Sequence, residues 1–272
     1  MWSTRIRGQK NAIERAYRLG ESLGLAVWCE DEAGPYQTKP YLGSGWHPEG
    51  HPGQLPHEYQ RNGTVKFMTL FHPATGEIRS LGVLSCTNEV LHGWLKQELV
   101  AILATLSKVQ PDFSVENWSE WESWREGVTL KATLRADPPP LRLLLVMDNL
   151  KGHHTPEWLR WLTAHGVLPL YTPLGGSWLN MCESIQRVVK RRAFDGHYPT
   201  SVQELTSWWE ATVAAWNASP TPFEWGGKRQ ARRERARAKR HQLGGSGACT
   251  RRPLRRRPSA YQLWRHSCQT TH

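Results

Sequence analysis

The chain has 272 residues, 39% of them hydrophobic, enough for one large domain or two small ones with a real core. No apolar run reaches the roughly eighteen residues of a membrane helix, and the first residues (Met1, Trp2, Arg5, Arg7, Lys10, Arg15) hold no apolar signal-peptide core, so a cytoplasmic protein with no membrane partner is expected. The net charge of +11 is uneven: residues 227–272 carry fourteen lysines and arginines against one acid, Glu234, while residues 1–226 carry 21 basic and 23 acidic residues, so bulk charge does not mark the body of the chain for nucleic acid.

Residues 1–20 are predicted as an N-terminal helix or linker, with Ile13, Ala16, Tyr17 and Leu19 loosely periodic. Leu23 to Cys29 is an apolar run ending in Glu30, Asp31 and Glu32, which reads as a buried strand emerging at a polar edge. Residues 33–63, rich in Gly, Pro and His, are a predicted loop. Two strands, Thr64 to Phe71 and Glu77 to Ser85, flank Pro73-Ala74-Thr75-Gly76 as a hairpin. Helical spacing from Val90 to Leu106 follows, then an insertion or loop over 107–140. Leu141 to Met147 is nearly all apolar, a strand buried on both faces, and ends at Asp148 and Asn149.

Thr155 caps a helix with Pro156 at its first position, and Gly166 ends it. A strand over Val167 to Tyr171, a loop over Thr172 to Ser177 and a helix from about Asn180 to Phe194 come next. Ser201 and Glu204 make a capping box for a last helix ending near Asn217. The first three strands suit an antiparallel meander and the later ones parallel crossovers, giving an α/β fold: a mixed sheet flanked by helices. Ligands of such sheets sit at the carboxyl ends of strands, where Asp31 and Asp148 are placed. Residues 227–272 are expected to be a basic, disordered tail that also favours polyanions.

Paired carboxylates at one sheet edge suit a hard divalent cation that keeps waters and substrate phosphates. Asp148, directly after an apolar strand, is a candidate; a turn or cap role is the alternative. Asp31 has the same form, ambiguous by one residue with Glu30 and Glu32 on either side; strand alternation sends those two one way and Asp31 the other. Glu183 is either a capping-box partner of Asn180, half of an i,i+4 pair with Arg187, or a third ligand. It shares a helix face with Arg187 and Lys190, while Met181, Ile185, Val188 and Val189 fall mainly on the other. The five cysteines include no C-x-x-C pair, and the spacing of His47, His51 and His57 matches no good metal site.

Asp148-Asn149 with His153, followed by TPLGGSWLNMCE, resembles the second and third catalytic motifs of mariner-related bacterial insertion-sequence transposases. CEDEAGPY, GSGWHPEG and RNGT resemble the first, SIQRVVKRRAF and WNASPTPFEW extend the likeness, and the 35-residue step from Asp148 to Glu183 suits the family's Asp–Asp–Glu spacing. The resemblance runs over residues 20–226. It implies a DDE superfamily endonuclease domain (21–226) with an RNase H-like, retroviral-integrase-like fold on a five-stranded mixed sheet. It further implies that Asp31, Asp148 and Glu183 bind two Mg²⁺ or Mn²⁺ ions, bound together with DNA, for cleavage at element ends and strand transfer into target DNA. Asn149, His153, Ser177 and Asn180 match motif positions near the acids, with turn and cap roles as alternatives. Trp178 is expected to stack on DNA or fill the core, and Arg187, Lys190, Arg191 and Arg192 to contact phosphates or form a solvated face. A homodimer in a bacterial, nucleoid-associated setting is also implied. Full-length relatives place helix-turn-helix segments before this domain; here about thirty residues precede Asp31, so those segments are expected on a separate half or lost from a truncated copy. Two other functions remain open: a nuclease on the same scaffold without strand transfer, and an inactive DNA-binding remnant.

Overall fold

Five strands form one sheet in the order β3-β2-β1-β4-β5: β1 (Ala26–Gln37), β2 (Thr64–His72), β3 (Glu77–Val83), β4 (Leu143–Met147) and β5 (Val167–Tyr171). β1, β2 and β3 pair antiparallel, whereas β1, β4 and β5 run parallel. This computed structural model describes residues 4–43, 48–51, 54, 56, 58–106, 116–125, 138–227, 234 and 238. The chain divides into two units, Met1–Glu224 and Trp225–His272. The sheet belongs to the first; nearly all of the expected tail, together with His47, His57, Cys249 and Cys268, lies outside the described residues.

Helices cover both faces. α2 (Asn88–Thr105) and α4 (Pro156–Ala164) pack Leu91, Trp94, Leu95, Leu99, Trp158, Leu159 and Leu162 against Trp28, Met68, Leu70, Leu143, Leu145 and Met147. α1 (Thr4–Leu19), α5 (Cys182–Phe194) and α6 (Val202–Asn217) take the other side, where Phe67 stacks on Trp209 with ring centroids 4.2 Å apart and Phe194 closes the aromatic cluster. The indoles of Trp209 and Trp216 donate to Ser80 Oγ and the Gly76 carbonyl, so their polar atoms are buried with partners. Gly76 closes the hairpin at φ +84°, and a Cβ there would meet the Thr221 backbone at 2.5 Å, so both conformation and space require glycine. No described helix is long and apolar enough to cross a membrane.

The segment expected as an insertion or loop contains a helix, α3 (Glu116–Arg125). Trp121 and Trp124, three residues apart, give it a buried side. Trp121 Nε1 donates to the Pro139 carbonyl, and the Arg15 guanidinium lies 4.0 Å over Trp124 while bonding Ser123. At α6 the capping box forms with a shifted return bond: Ser201 Oγ accepts from Glu204 N at 3.2 Å, but Glu204 Oε2 accepts from the N–H of Thr200 at 2.6 Å. Ser201→Ala is expected to lower stability by about 1 kcal/mol, read as a small drop in thermal midpoint with cleavage activity unchanged.

A three-acid edge as candidate active site

β1 and β4 run parallel, and their last pair is Cys29 with Val146. Asp31 and Asp148 each lie two residues further on, so both reach the same edge. β4 stops there, but β1 continues against β2, with Asp31 opposite Thr69. The acid expected just past a strand end therefore sits inside a strand whose parallel neighbour has ended. Of the two flanking acids, Glu30 is wholly buried beside His153, and Glu32 is engaged by Cys86 Sγ at 3.3 Å and Lys66 Nζ at 3.7 Å.

Glu183 arrives on the first turn of α5, and three side chains fix that helix. Asn180 Nδ2 donates to the Glu30 carbonyl at 2.7 Å while its Oδ1 accepts from Cys182 N at 3.1 Å. Gln186 Nε2 donates to the Asp31 carbonyl at 3.1 Å. From α1, the Tyr17 hydroxyl accepts from Met181 N at 3.2 Å. Two carboxamides of the α5 region thus grip the backbone of consecutive β1 residues and hold Glu183 over Asp31. The capping-box alternative for Glu183 is not what forms: the cap position is Met181, without a side-chain bond, and Asn180, one residue earlier, is committed to β1. The i,i+4 pair does form, with Arg187 3.1 Å from Glu183 Oε2.

Asp148 is held by its own loop. Its Oδ1 accepts from Leu150 N at 2.8 Å and lies 3.0 Å from His153 Nδ1. Asn149 Nδ2 donates to the Thr172 carbonyl, and its Oδ1 meets His154 Nε2 at 3.1 Å, tying the ends of β4 and β5 together. Ser177 and Trp178 form a short 3₁₀ turn before α5; Ser177 is exposed and Trp178 half-buried, so neither is core.

The charges are mutually felt. Burial pushes the Asp31 carboxyl up to about 7, against the Glu32 backbone N–H, and the nearby charges of Asp148 and Glu183 raise it further. Burial acts to raise Asp148 too, but the bonds from His153 and the Leu150 N–H outweigh it and hold it below its ordinary value. Burial raises Glu30 to about 8. For His153, burial acts to lower the value, yet Glu30 and Asp148 on either side bring it up to about 9.

A cavity of about 690 Å³ opens beside the acids, lined by Asp31 and Glu183, by Tyr36 and Gln186, and by Arg187, Lys190 and Arg191. Asp148 lies outside this lining. Lys190 reaches Asp195 at 2.7 Å and sits over the Tyr41 ring, whereas Arg192 lies over Trp216 and does not line the cavity. The expected helix faces hold: Glu183, Arg187 and Lys190 stay at least partly exposed while Ile185 and Val189 are buried.

Among the described residues no group of three acids, histidines or cysteines stands as a ready-made metal site. The donor set nevertheless fits a hard divalent cation: three carboxylates, each with one oxygen (Asp31 Oδ2, Asp148 Oδ2, Glu183 Oε1) uncommitted among the described residues. Sequence reasoning missed Glu30 and Gln186. The first had a signal in strand alternation; the second lies three residues after Glu183 on the same helix.

The sequence model of the DDE superfamily endonucleases matches residues 115–206, which include Asp148 and Glu183 but not Asp31. No curated protein matches. Among solved structures, the Mos1 mariner paired end complex with Mg is 14% identical and covers 88% of this chain and 63% of that one, with a TM-score of 0.52. The corresponding complex with Mn is 12% identical and covers 79% and 56%, with a TM-score of 0.50. The chain thus spans less than two thirds of the length of these proteins. Their likeness, at such identity, is one of fold. Over residues 115–206 the chain thus matches the DDE superfamily endonucleases, and its mixed five-stranded sheet flanked by helices is similar in fold to these mariner transposase complexes.

Proposed function

We propose that this chain is the catalytic part of a DNA transposase, which hydrolyses a phosphodiester at element ends and transfers the freed 3′ hydroxyl to target DNA. The reading is supported by geometry: Asp31 and Asp148 each lie two residues beyond the last β1–β4 pair, and Gln186, three residues after Glu183 on α5, bonds the Asp31 carbonyl, so the three acids belong to one sheet edge. Residues 21–226 are the proposed catalytic unit and 227–272 a basic tail that adds affinity for DNA. Asp31, Asp148 and Glu183 are the proposed ligands of two Mg²⁺ or Mn²⁺ ions, taken up with DNA. When bound, such ions activate an attacking oxygen and stabilise a leaving one. The protein's own part is positioning: Asn180 and Gln186 fix Glu183 over Asp31, while His153 and Asn149 hold the Asp148 loop. Arg187, Lys190 and Arg191 line a cavity suited to a strand's phosphates next to the acids, Arg192 extends the charge outside it, and the exposed Ser177 and half-buried Trp178 are the further proposed DNA contacts. Element ends, target DNA, a second copy of this chain and a separate N-terminal DNA-binding half are the proposed partners, in a bacterial, nucleoid-associated cytoplasm.

Purified protein incubated with Mn²⁺, a donor end and a target plasmid is expected to give a joined product. Cleavage without joining identifies a nuclease instead. Neither reaction, with DNA binding that disappears on deleting 227–272, identifies an inactive remnant.

A further inference from the structure

Glu30 is fully buried and neither of its carboxylate oxygens has a hydrogen-bond partner among the described residues. Removing a carboxylate from water is costly, and an apolar side chain of similar volume would fill the position at lower cost. Its neighbour is His153, itself 2% exposed, whose Nε2 lies 3.3 Å from Glu30 Oε2, at ion-pair distance without hydrogen-bond alignment. The other ring nitrogen, Nδ1, lies 3.0 Å from Asp148 Oδ1. One imidazole therefore bridges a buried carboxylate on β1 and an acid of the candidate active site. Its backbone is pinned as well, since the Tyr171 hydroxyl donates to the His153 carbonyl at 2.7 Å, and the Glu30 carbonyl is held by Asn180.

We propose that Glu30 is a positioning residue: by partnering Nε2 of His153 it keeps Nδ1–H directed at Asp148, and so fixes the orientation in which Asp148 holds a divalent cation. This rests on the reading of Asp148 as a metal ligand given above. The partner of one ring nitrogen decides what the other can do. A carboxylate only accepts, so Nε2–H is turned to Glu30 and, between two carboxylates, Nδ1 carries a second proton toward Asp148. With no acceptor for Nε2–H the ring loses its preferred orientation, and Asp148 is steered by Leu150 N alone. A glutamine can accept from Nε2–H through its amide oxygen; a leucine cannot.

The test compares Glu30→Leu and Glu30→Gln in the full chain. Mn²⁺ binding is read by electron paramagnetic resonance of the free ion, and the Mn²⁺ needed for half-maximal nicking of supercoiled plasmid is measured beside it. Glu30→Leu is expected to weaken Mn²⁺ binding and raise the half-maximal concentration by about ten-fold or more, with a thermal midpoint equal to or above that of the unaltered protein. Glu30→Gln is expected to stay within about three-fold of that protein, as the amide still serves Nε2. A purely structural Glu30 would move the melting curve and not the metal dependence. The proposal is overturned if Glu30→Leu folds and shows the original Mn²⁺ dependence, or if Glu30→Gln is as impaired as Glu30→Leu. If the unaltered protein neither binds Mn²⁺ nor nicks plasmid, or if Asp148→Ala nicks as well as it does, the three-acid reading fails first and takes this one with it.

Discussion

Asp148→Asn is expected to abolish phosphodiester cleavage, lowering the rate at least about 1000-fold, which is about 4 kcal/mol at 1.36 kcal/mol per factor of ten. The substitution is chosen to leave the local structure standing. Asp148 uses Oδ1 for the Leu150 N–H and the His153 imidazole, and an asparagine Oδ1 accepts both bonds in the same place. What changes is the other oxygen. It becomes an amide N–H₂, which presents protons where the carboxylate presents lone pairs, and it removes one of three negative charges from the edge. A site of two carboxylates binds a divalent cation far less well, and the developing charge of phosphoryl transfer goes unneutralised. Nicking of supercoiled plasmid in Mn²⁺, measured beside a circular-dichroism melt, separates this from unfolding. A folded variant whose rate stays within about ten-fold of the original would mean that Asp148 holds no catalytic ion.

Much of this arrangement was legible because local chemistry dictated it. Leu143 to Met147 is buried at every position, and a run so short, with three prolines just before it, reads as an interior strand, so Asp148 at its end was readable as an edge residue. The face carrying Glu183, Arg187 and Lys190 was readable from helical spacing. The parts that escaped depend on partners far along the chain. The second half of β1, from Glu30 to Gln37, is polar, carries Gly34 and Pro35, and looks like a loop; it is a strand because β2 pairs with it after β4 has ended. Asn180 looks like a helix cap, and its donor group is instead spent on a carbonyl of β1. Glu30 looks like one acid in a row of three until His153 is seen beside it. In each case the residue type was visible and the partner was not, because sequence spacing carries no information on which distant segment a sheet register brings alongside.

The second large effect concerns that same junction. Asn180→Ala is expected to destabilise the protein by about 2–4 kcal/mol, because it strips a partner from two main-chain groups at once. The Glu30 carbonyl loses its donor, and Cys182 N, at the unsatisfied start of α5, loses its acceptor. Asn180, Cys182 and Glu30 are all buried, so water does not replace the lost bonds without opening the packing. For a domain of this size the loss corresponds to a fall of roughly 5–15 °C in thermal midpoint. The functional loss should exceed what the residual folded fraction explains. With Asn180 gone, the bonds that remain near the start of α5 among the described residues run from Met181 N to Tyr17 of α1, from Cys182 Sγ to the Thr69 carbonyl of β2 and, one turn later, from Gln186 to β1, so Glu183 is free to drift from Asp31 by a fraction of a turn. Gln186→Met removes the second tie and is expected to cost less stability, as a single carbonyl bond is involved. The double variant should lose more cleavage than the product of the two single losses, since either tie alone still limits the helix. If Asn180→Ala melts within about 1 °C of the original protein, the carboxamide is not what holds α5 to β1. If it melts early but cleaves at full rate once corrected for folding, the placement of Glu183 does not depend on that anchor and must be fixed by the packing of Ile185 and Val189 instead.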